Sequence, residues 1–166
     1  MFRVLLLIWF VSLSIAGVFV IFRDAAMDYR MVALGALLVD PIDGVVRGGI
    51  GPAHSVSVAV GLLALVMVGT IGRRVLRRRL LGVVIGVFAH LVLDGAWLVT
   101  KAFWWPFGGA FAAQRIPFLE RGWAIVAIQE VVGLMVGAWL WRRFRLQTPE
   151  RIALLKKTGR IDRRLI

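Results

Sequence analysis

The chain has 166 residues, is 60% hydrophobic, and carries a mean hydropathy of +0.86 and a net charge of +12. A water-soluble domain of this length is nearer half apolar and more highly charged, so a bilayer protein is the simplest reading. The lack of cysteine excludes disulfides and thiolate metal sites, and the positive charge sits in blocks behind apolar runs, as at cytoplasmic span ends, with no aromatic-basic surface for reading nucleic acid.

Val4 to Phe22 is uncharged and long enough to cross a bilayer. Its apolar run continues past a weak cleavage signal at residues 14–17, which favours an uncleaved anchor over a signal peptide. Arg23 to Arg30 is polar and holds Asp24 and Asp28. Met31 to Val39 is apolar but too short to cross. With residues 24–30 it is expected to form one re-entrant or interfacial helix, ended by Pro41, that delivers Asp40 to a protein-lined cavity. Gly48, Gly49, Gly51 and Pro52 then allow an irregular connection. No strand precedes it and its spacing is wrong for a dinucleotide loop.

Val56 to Gly72 is the next apolar run and stops at the cluster Arg73, Arg74, Arg77, Arg78 and Arg79. Leu80 to Thr100 follows, with His90 and Asp94 inside it. Lys101 to Arg121 reads as a loop whose Trp104, Trp105, Pro106 and Phe107 suit a membrane–water interface. Gly122 to Trp141 is the last predicted span and contains Gln129 and Glu130. From Arg142 the chain is basic. Thr148-Pro149-Glu150 has the form of a helix start, and Gly159 that of a helix stop. This amphipathic helix suits the anionic lipid of an inner leaflet, and a solvated tail is the equal alternative.

The expected fold is therefore all-α: a polytopic membrane helical bundle of about four transmembrane helices, plus the re-entrant or interfacial helix and the basic C-terminal helix. Residues 1–145 form the transmembrane domain and 146–166 a basic cytoplasmic tail. With both termini cytoplasmic, 15 basic residues lie inside and six outside, which puts Asp40, Asp43 and His54 on the outer side. Were residues 24–39 to cross, the N-terminus would change sides and the rest would stay.

His90 and Asp94 are four apart on a predicted helix and share a face. Counted from Leu80, they lie roughly 15 and 21 Å along the span, compatible with His54 at the outer start of the preceding one. Such a pair can simply bond two helices together, and aspartates such as Asp40 and Asp43 often only cap turns. Ionisable groups inside a bilayer are costly and usually functional, however, and both histidines of the chain fall in this set. The expected metal ligands are Asp40, Asp43, His54, His90 and Asp94. Imidazole and carboxylate without thiolate suit zinc and tolerate manganese, and five candidate ligands leave room for one ion or two. Asp43 or Glu130 would serve as catalytic proton acceptor for a metal-activated water. Glu130 has a second reading, as the partner of a neighbouring polar group such as Gln129. Ser55 reads as a helix N-cap rather than a nucleophile.

The ordered set Leu-Gly-Ala-Leu-Leu-x-Asp-x-x-Asp at 34–43, His-Ser at 54–55, His-x-x-x-Asp at 90–94 and Trp-Pro-Phe at 105–107 resembles a family of bacterial inner-membrane metal-dependent hydrolases, the YdjM/YbcI-like group. That group is distantly similar to zinc-dependent phospholipase C and the P1 nuclease group. The resemblance implies a multi-pass protein of the bacterial cytoplasmic membrane that hydrolyses a phosphoester, on a lipid or lipid-linked substrate, with no nucleic-acid partner. The family carries further histidines near the N-terminus and after the second aspartate, where this chain has none and Gly44 respectively. The alternative is a non-catalytic polytopic membrane protein, a degenerate member with a transport or scaffold role and structural polar pairs.

Overall fold

A computed structural model describes residues 7–47, 51–109 and 122–165. All regular structure among them is helical: α1 (Leu7–Phe22), α2 (Tyr29–Arg47), α3 (Val56–Gly69), α4 (Arg74–Leu93), α5 (Thr100–Phe103), α6 (Trp123–Arg143) and α7 (Pro149–Thr158). Single 3₁₀ turns lie at Pro52–His54, Ala96–Leu98 and Arg163–Leu165.

The helices follow from unbroken apolar runs whose ends carry the expected punctuation. Ser55 starts α3 as its N-cap, its hydroxyl accepting from the Val58 amide at 3.2 Å. Gly95 ends α4 by adopting φ +71°, a left-handed conformation that glycine enters without penalty. The predicted span Leu80–Thr100 is therefore cut at Leu93, and its helix begins earlier, inside the arginine cluster at Arg74. Gly159 closes α7 in the same left-handed way, with Pro149 in its first turn, as the sequence suggests.

The α2–α4 contact fixes the architecture. A Cβ on Gly35 would fall on the backbone of Val83, one on Gly86 on the Val32 carbonyl, and one on Gly82 against Met31. Small residues four apart on α4, Gly82 and Gly86, thus let two backbones touch, the device that brings helices together where water does not drive them. The pairing runs 31 with 82 and 32–36 with 86, so α2 and α4 are parallel. Helices α1 and α6 are parallel too, with Gly133 against Trp9 and Gly137 against Ser12.

This arrangement corrects the expected helix end at Pro41. Residues 29–47 form one 19-residue helix, about 27 Å long, with Pro41 inside it. Proline removes its own N–H and its ring crowds the Leu37 carbonyl one turn earlier, yet the helix continues for six further residues. Asp28, just before α2, lies beside Arg79, while Asp40 and Asp43 at its far end lie beside His54. α2 therefore runs the length of the bundle, and α1, α2, α3, α4 and α6 pass between the two ends in alternating directions.

One end gathers Val18, Phe19, Tyr29, Leu140 and Phe144 with Ile161 and Leu165 of the C-terminal segment in a single core. The Tyr29 amide donates to the Gly159 carbonyl at 2.8 Å, and the Ile161 amide to Ala25 at 3.2 Å. Residues 146–165 of the expected basic tail thus lie against the bundle. The other end packs Val39, Ala53, Ala59, Val87, Leu91 and Ala96 around the site. Among the described residues, α6 is long and apolar enough to cross a membrane by itself, and α1 and α3 are shorter apolar helices. Leu134, Met135, Trp139 and Trp141 of α6 are exposed.

Candidate metal centre

Three segments converge at the end of the bundle away from the arginine cluster. Asp40 and Asp43 come from the last turns of α2, His54 from the 3₁₀ turn before α3, and His90 and Asp94 from the last turn and C-cap of α4. The register set by Gly35 and Gly86 brings this about, since Asp40 and His90 each lie one turn beyond the α2–α4 contact.

Asp43 is the anchor of the connecting loop. Its carboxylate accepts from the amides of Gly51 at 2.7 Å, Ala53 at 3.0 Å and His54 at 3.2 Å, and from His54 Nδ1 at 2.6 Å. The carboxylate faces N–H donors on every side, and His54 completes the set by carrying a proton on Nδ1. His90 is fixed in the same sense by a different group. Its Nδ1 lies 2.7 Å from the carbonyl of Ala36, which can only accept, and its ring stacks on Phe10 at 4.1 Å between centroids.

Both imidazoles therefore turn Nε2 toward the same space. Neither Nε2 has a hydrogen-bond partner although both are buried. Asp40 Oδ1 lies 3.4 Å from Nε2 of His54 and 3.6 Å from Nε2 of His90, and Asp94 Oδ2 lies 3.6 Å from Nε2 of His54. The ring centroids are 5.5 Å apart. Asp40, His54 and His90 form a group that could hold a metal ion, each offering one ligand atom and all three atoms lying within 4.8 Å of one another.

The fit can be tested by distance and by charge. Tetrahedral zinc with bonds of about 2.0–2.1 Å places its ligand atoms about 3.3 Å apart, close to the observed separations of 3.4 and 3.6 Å. Two imidazole lone pairs and two carboxylates facing one another in a buried space repel unless a metal cation lies between them or a proton on Nε2 makes an imidazole a donor. The hydrogen bonds behind the rings, one to a carboxylate and one to a backbone carbonyl, are the kind that fix tautomer and orientation in metal-ligating histidines.

Of the five expected ligands, Asp40, His54 and His90 point at a common ion position, and Asp94 borders it. Asp43 stands behind His54, outside the group of three, with both oxygens accepting from N–H donors, and there it orients the His54 ring. Glu130 lies on α6, half-buried, outside the converging group, and both its carboxylate oxygens are buried without a hydrogen-bond partner. Gln129 beside it likewise leaves its carbonyl oxygen unpartnered. Three contributors were not anticipated: the Ala36 carbonyl, Phe10 and Gly51. A backbone carbonyl has no signature in sequence. Gly51 had one, as the residue on which a Cβ would collide with the Asp43 carboxylate.

Set against family models, curated proteins and solved structures, the chain matches none of them.

Proposed function

We propose that this chain is a multi-pass membrane protein with a metal centre held by Asp40, His54, His90 and Asp94, and that it hydrolyses a phosphoester of a lipid or lipid-linked substrate. The observation that carries the reading is the pair of buried Nε2 atoms turned toward one carboxylate, each with its Nδ1 already committed. The ordered motifs at 34–43, 54–55 and 90–94 support the hydrolase assignment by resemblance, and the exposed apolar faces of α1, α3 and α6 support the membrane setting.

The accessible side of the site is Asp40. Its side chain is 28% exposed, against 2% for His54, 0% for His90 and 3% for Asp94. Substrate and water reach the centre past that carboxylate, and the other three side chains form its closed wall. A zinc or manganese ion there would supply a water of lowered pKa and positive charge for a phosphoryl oxygen. The protein's own part is to turn both Nε2 atoms toward one position and to fix the two rings through Asp43 and the Ala36 carbonyl.

Elemental analysis of the detergent-purified protein tests the centre, and cleavage of bis(p-nitrophenyl) phosphate tests the reaction. Wild type should carry stoichiometric zinc or manganese and turn over the diester, and His90→Ala should lose both while still inserting. Metal-free wild type, or full occupancy in His90→Ala, would refute the site. Bound metal without turnover of this ester or a phospholipid would leave the non-catalytic reading.

A further inference from the structure

The opposite end of the bundle carries a second polar feature that the metal centre does not use. A cavity of about 400 Å³ opens between the α1–α2 loop, the start of α4 and the end of α7, lined by Arg74, Arg78, Arg79, Lys157, Thr158 and Arg160, with Asp28 in its wall. Twelve residues of α2 separate Asp28 from Asp40, about 18 Å of helix, so this is a separate place.

Its charge is not balanced from within. Arg78 pairs with Asp24 at 2.7 Å, and Arg79 reaches Asp28 at 3.5 Å, but Asp28 is already held by Arg30 at 3.1 Å. Among the described residues, Arg74 and Lys157 have no acidic partner within ion-pair distance. The position of these arginines adds to the imbalance. They occupy the first turns of a 20-residue helix with no acidic residue in its first turn and no side-chain cap on its leading amides. A helix start already bears partial positive charge, so cations are disfavoured there and an anion favoured.

We infer that this cavity is a phosphate-binding site, in which Arg74, Arg78, Lys157 and Arg160 converge on the phosphate group of a lipid headgroup or of a soluble phosphate ester. Arginine forks and a lysine ammonium group from two segments, α4 and the end of α7, match the tetrahedral array of phosphate oxygens. The volume accepts a headgroup-sized anion. Occupancy would also tie α7 to α4, because each contributes cations that otherwise repel. The inference does not depend on the metal centre.

Thermal unfolding of the full-length protein in neutral detergent tests it. The probes are dioleoylphosphatidylglycerol, dioleoylphosphatidylcholine and sodium pyrophosphate, each matched to sodium chloride of equal ionic strength. The variant is Arg74→Gln/Lys157→Gln, whose two side chains are exposed and unpaired and so are dispensable for folding. Phosphatidylglycerol or pyrophosphate should raise the wild-type Tm beyond its salt control, and the double variant should bind about tenfold or more weakly. A shift with phosphatidylglycerol alone identifies the lipid headgroup, and one with pyrophosphate alone the soluble source. No shift with either probe, or the same shift in the variant as in wild type, overturns the site. Metal content measured on the same samples should be equal in both proteins, which separates this outcome from any failure of the metal centre.

Discussion

His54 depends on a residue that is not itself a ligand. Asp43 holds the ring by Nδ1 and the loop by three amides, so replacing it with asparagine presents an NH₂ to donors that need an acceptor. Asp43→Asn is expected to weaken metal affinity about 10- to 100-fold, the usual cost of losing such a supporting carboxylate. Gly51→Ala should act in the same direction without touching any polar group, because the added methyl would displace the Asp43 carboxylate. Chelator competition against zinc measures both, and wild-type affinity in Gly51→Ala would argue against this role for Asp43. Glu130→Gln, by contrast, should leave metal content unchanged, since that carboxylate lies outside the converging group. The candidate set was legible at this scale because ionisable residues stand out in apolar sequence. The division of labour was not, since whether a carboxylate binds or supports depends on which amides face it, and residues 51–54 turn their amides on Asp43 only after folding.

At the scale of elements, the contact between α2 and α4 decides whether a site exists. Each helix carries half of it, and their register is set where glycine backbones touch. Gly86→Val would drive two methyl groups into the Val32 carbonyl and separate the helices. Metal content should therefore fall to background although every ligand is intact. Gly61→Ala on α3 is the control, because a Cβ there meets nothing within 4 Å. It should keep the metal and gain roughly 0.5–1 kcal/mol from the better helix former. Equal metal content in Gly86→Val and Gly61→Ala would show that the close contact is dispensable. The glycines four apart stand in the sequence, but their role emerges only from the backbone contact that they allow. Pro41 misled, because a proline near the end of a long helix costs one hydrogen bond while the apolar face of α2 still gains its packing against α4.

The loop that leads into α2 is tied to α4 through acid groups outside the helices. Burial pushes the Asp28 carboxyl up, but the hydrogen bond and charge of Arg30, then Arg79, outweigh it and hold the group below the usual carboxylate range. Asp24 is lowered in the same way, burial being overcome by Arg78 and the Ala26 amide. A carboxylate depressed in the folded state contributes stability that is fully present above its unfolded value, about 3.9, and disappears as pH falls through the folded one. Thermal melts in acid should thus show a steeper loss for wild type than for Asp28→Asn. Parallel curves would mean that Asp28 does not tie this end together.

At the scale of the whole molecule, charge and direction agree once α2 is taken to run the full length. Arg23, Arg30, the five arginines of 73–79 and the nine basic residues from Arg142 onward then belong to one end, sixteen of the 21 in the chain. The four-span arrangement keeps fifteen on that side and leaves Arg23 and Arg30 on the other. The stronger asymmetry is the one a membrane protein is expected to show, with the basic end cytoplasmic. Under the proposed membrane setting, α1, α2, α3, α4 and α6 would make five crossings, with the start of α1 on the metal-centre side and the C-terminal segment on the arginine side. The chain has no cysteine, so single introduced thiols report sidedness without background. Arg23→Cys and Arg160→Cys should both resist a membrane-impermeant maleimide added outside intact cells and react after permeabilisation, whereas Phe107→Cys, 86% exposed, should react from outside. Labelling of Arg23→Cys from outside would restore the four-span arrangement. It would also contradict the ion pairs of Asp24 and Asp28 with Arg78 and Arg79, which require the α1–α2 loop and the arginine cluster to share one face of the membrane.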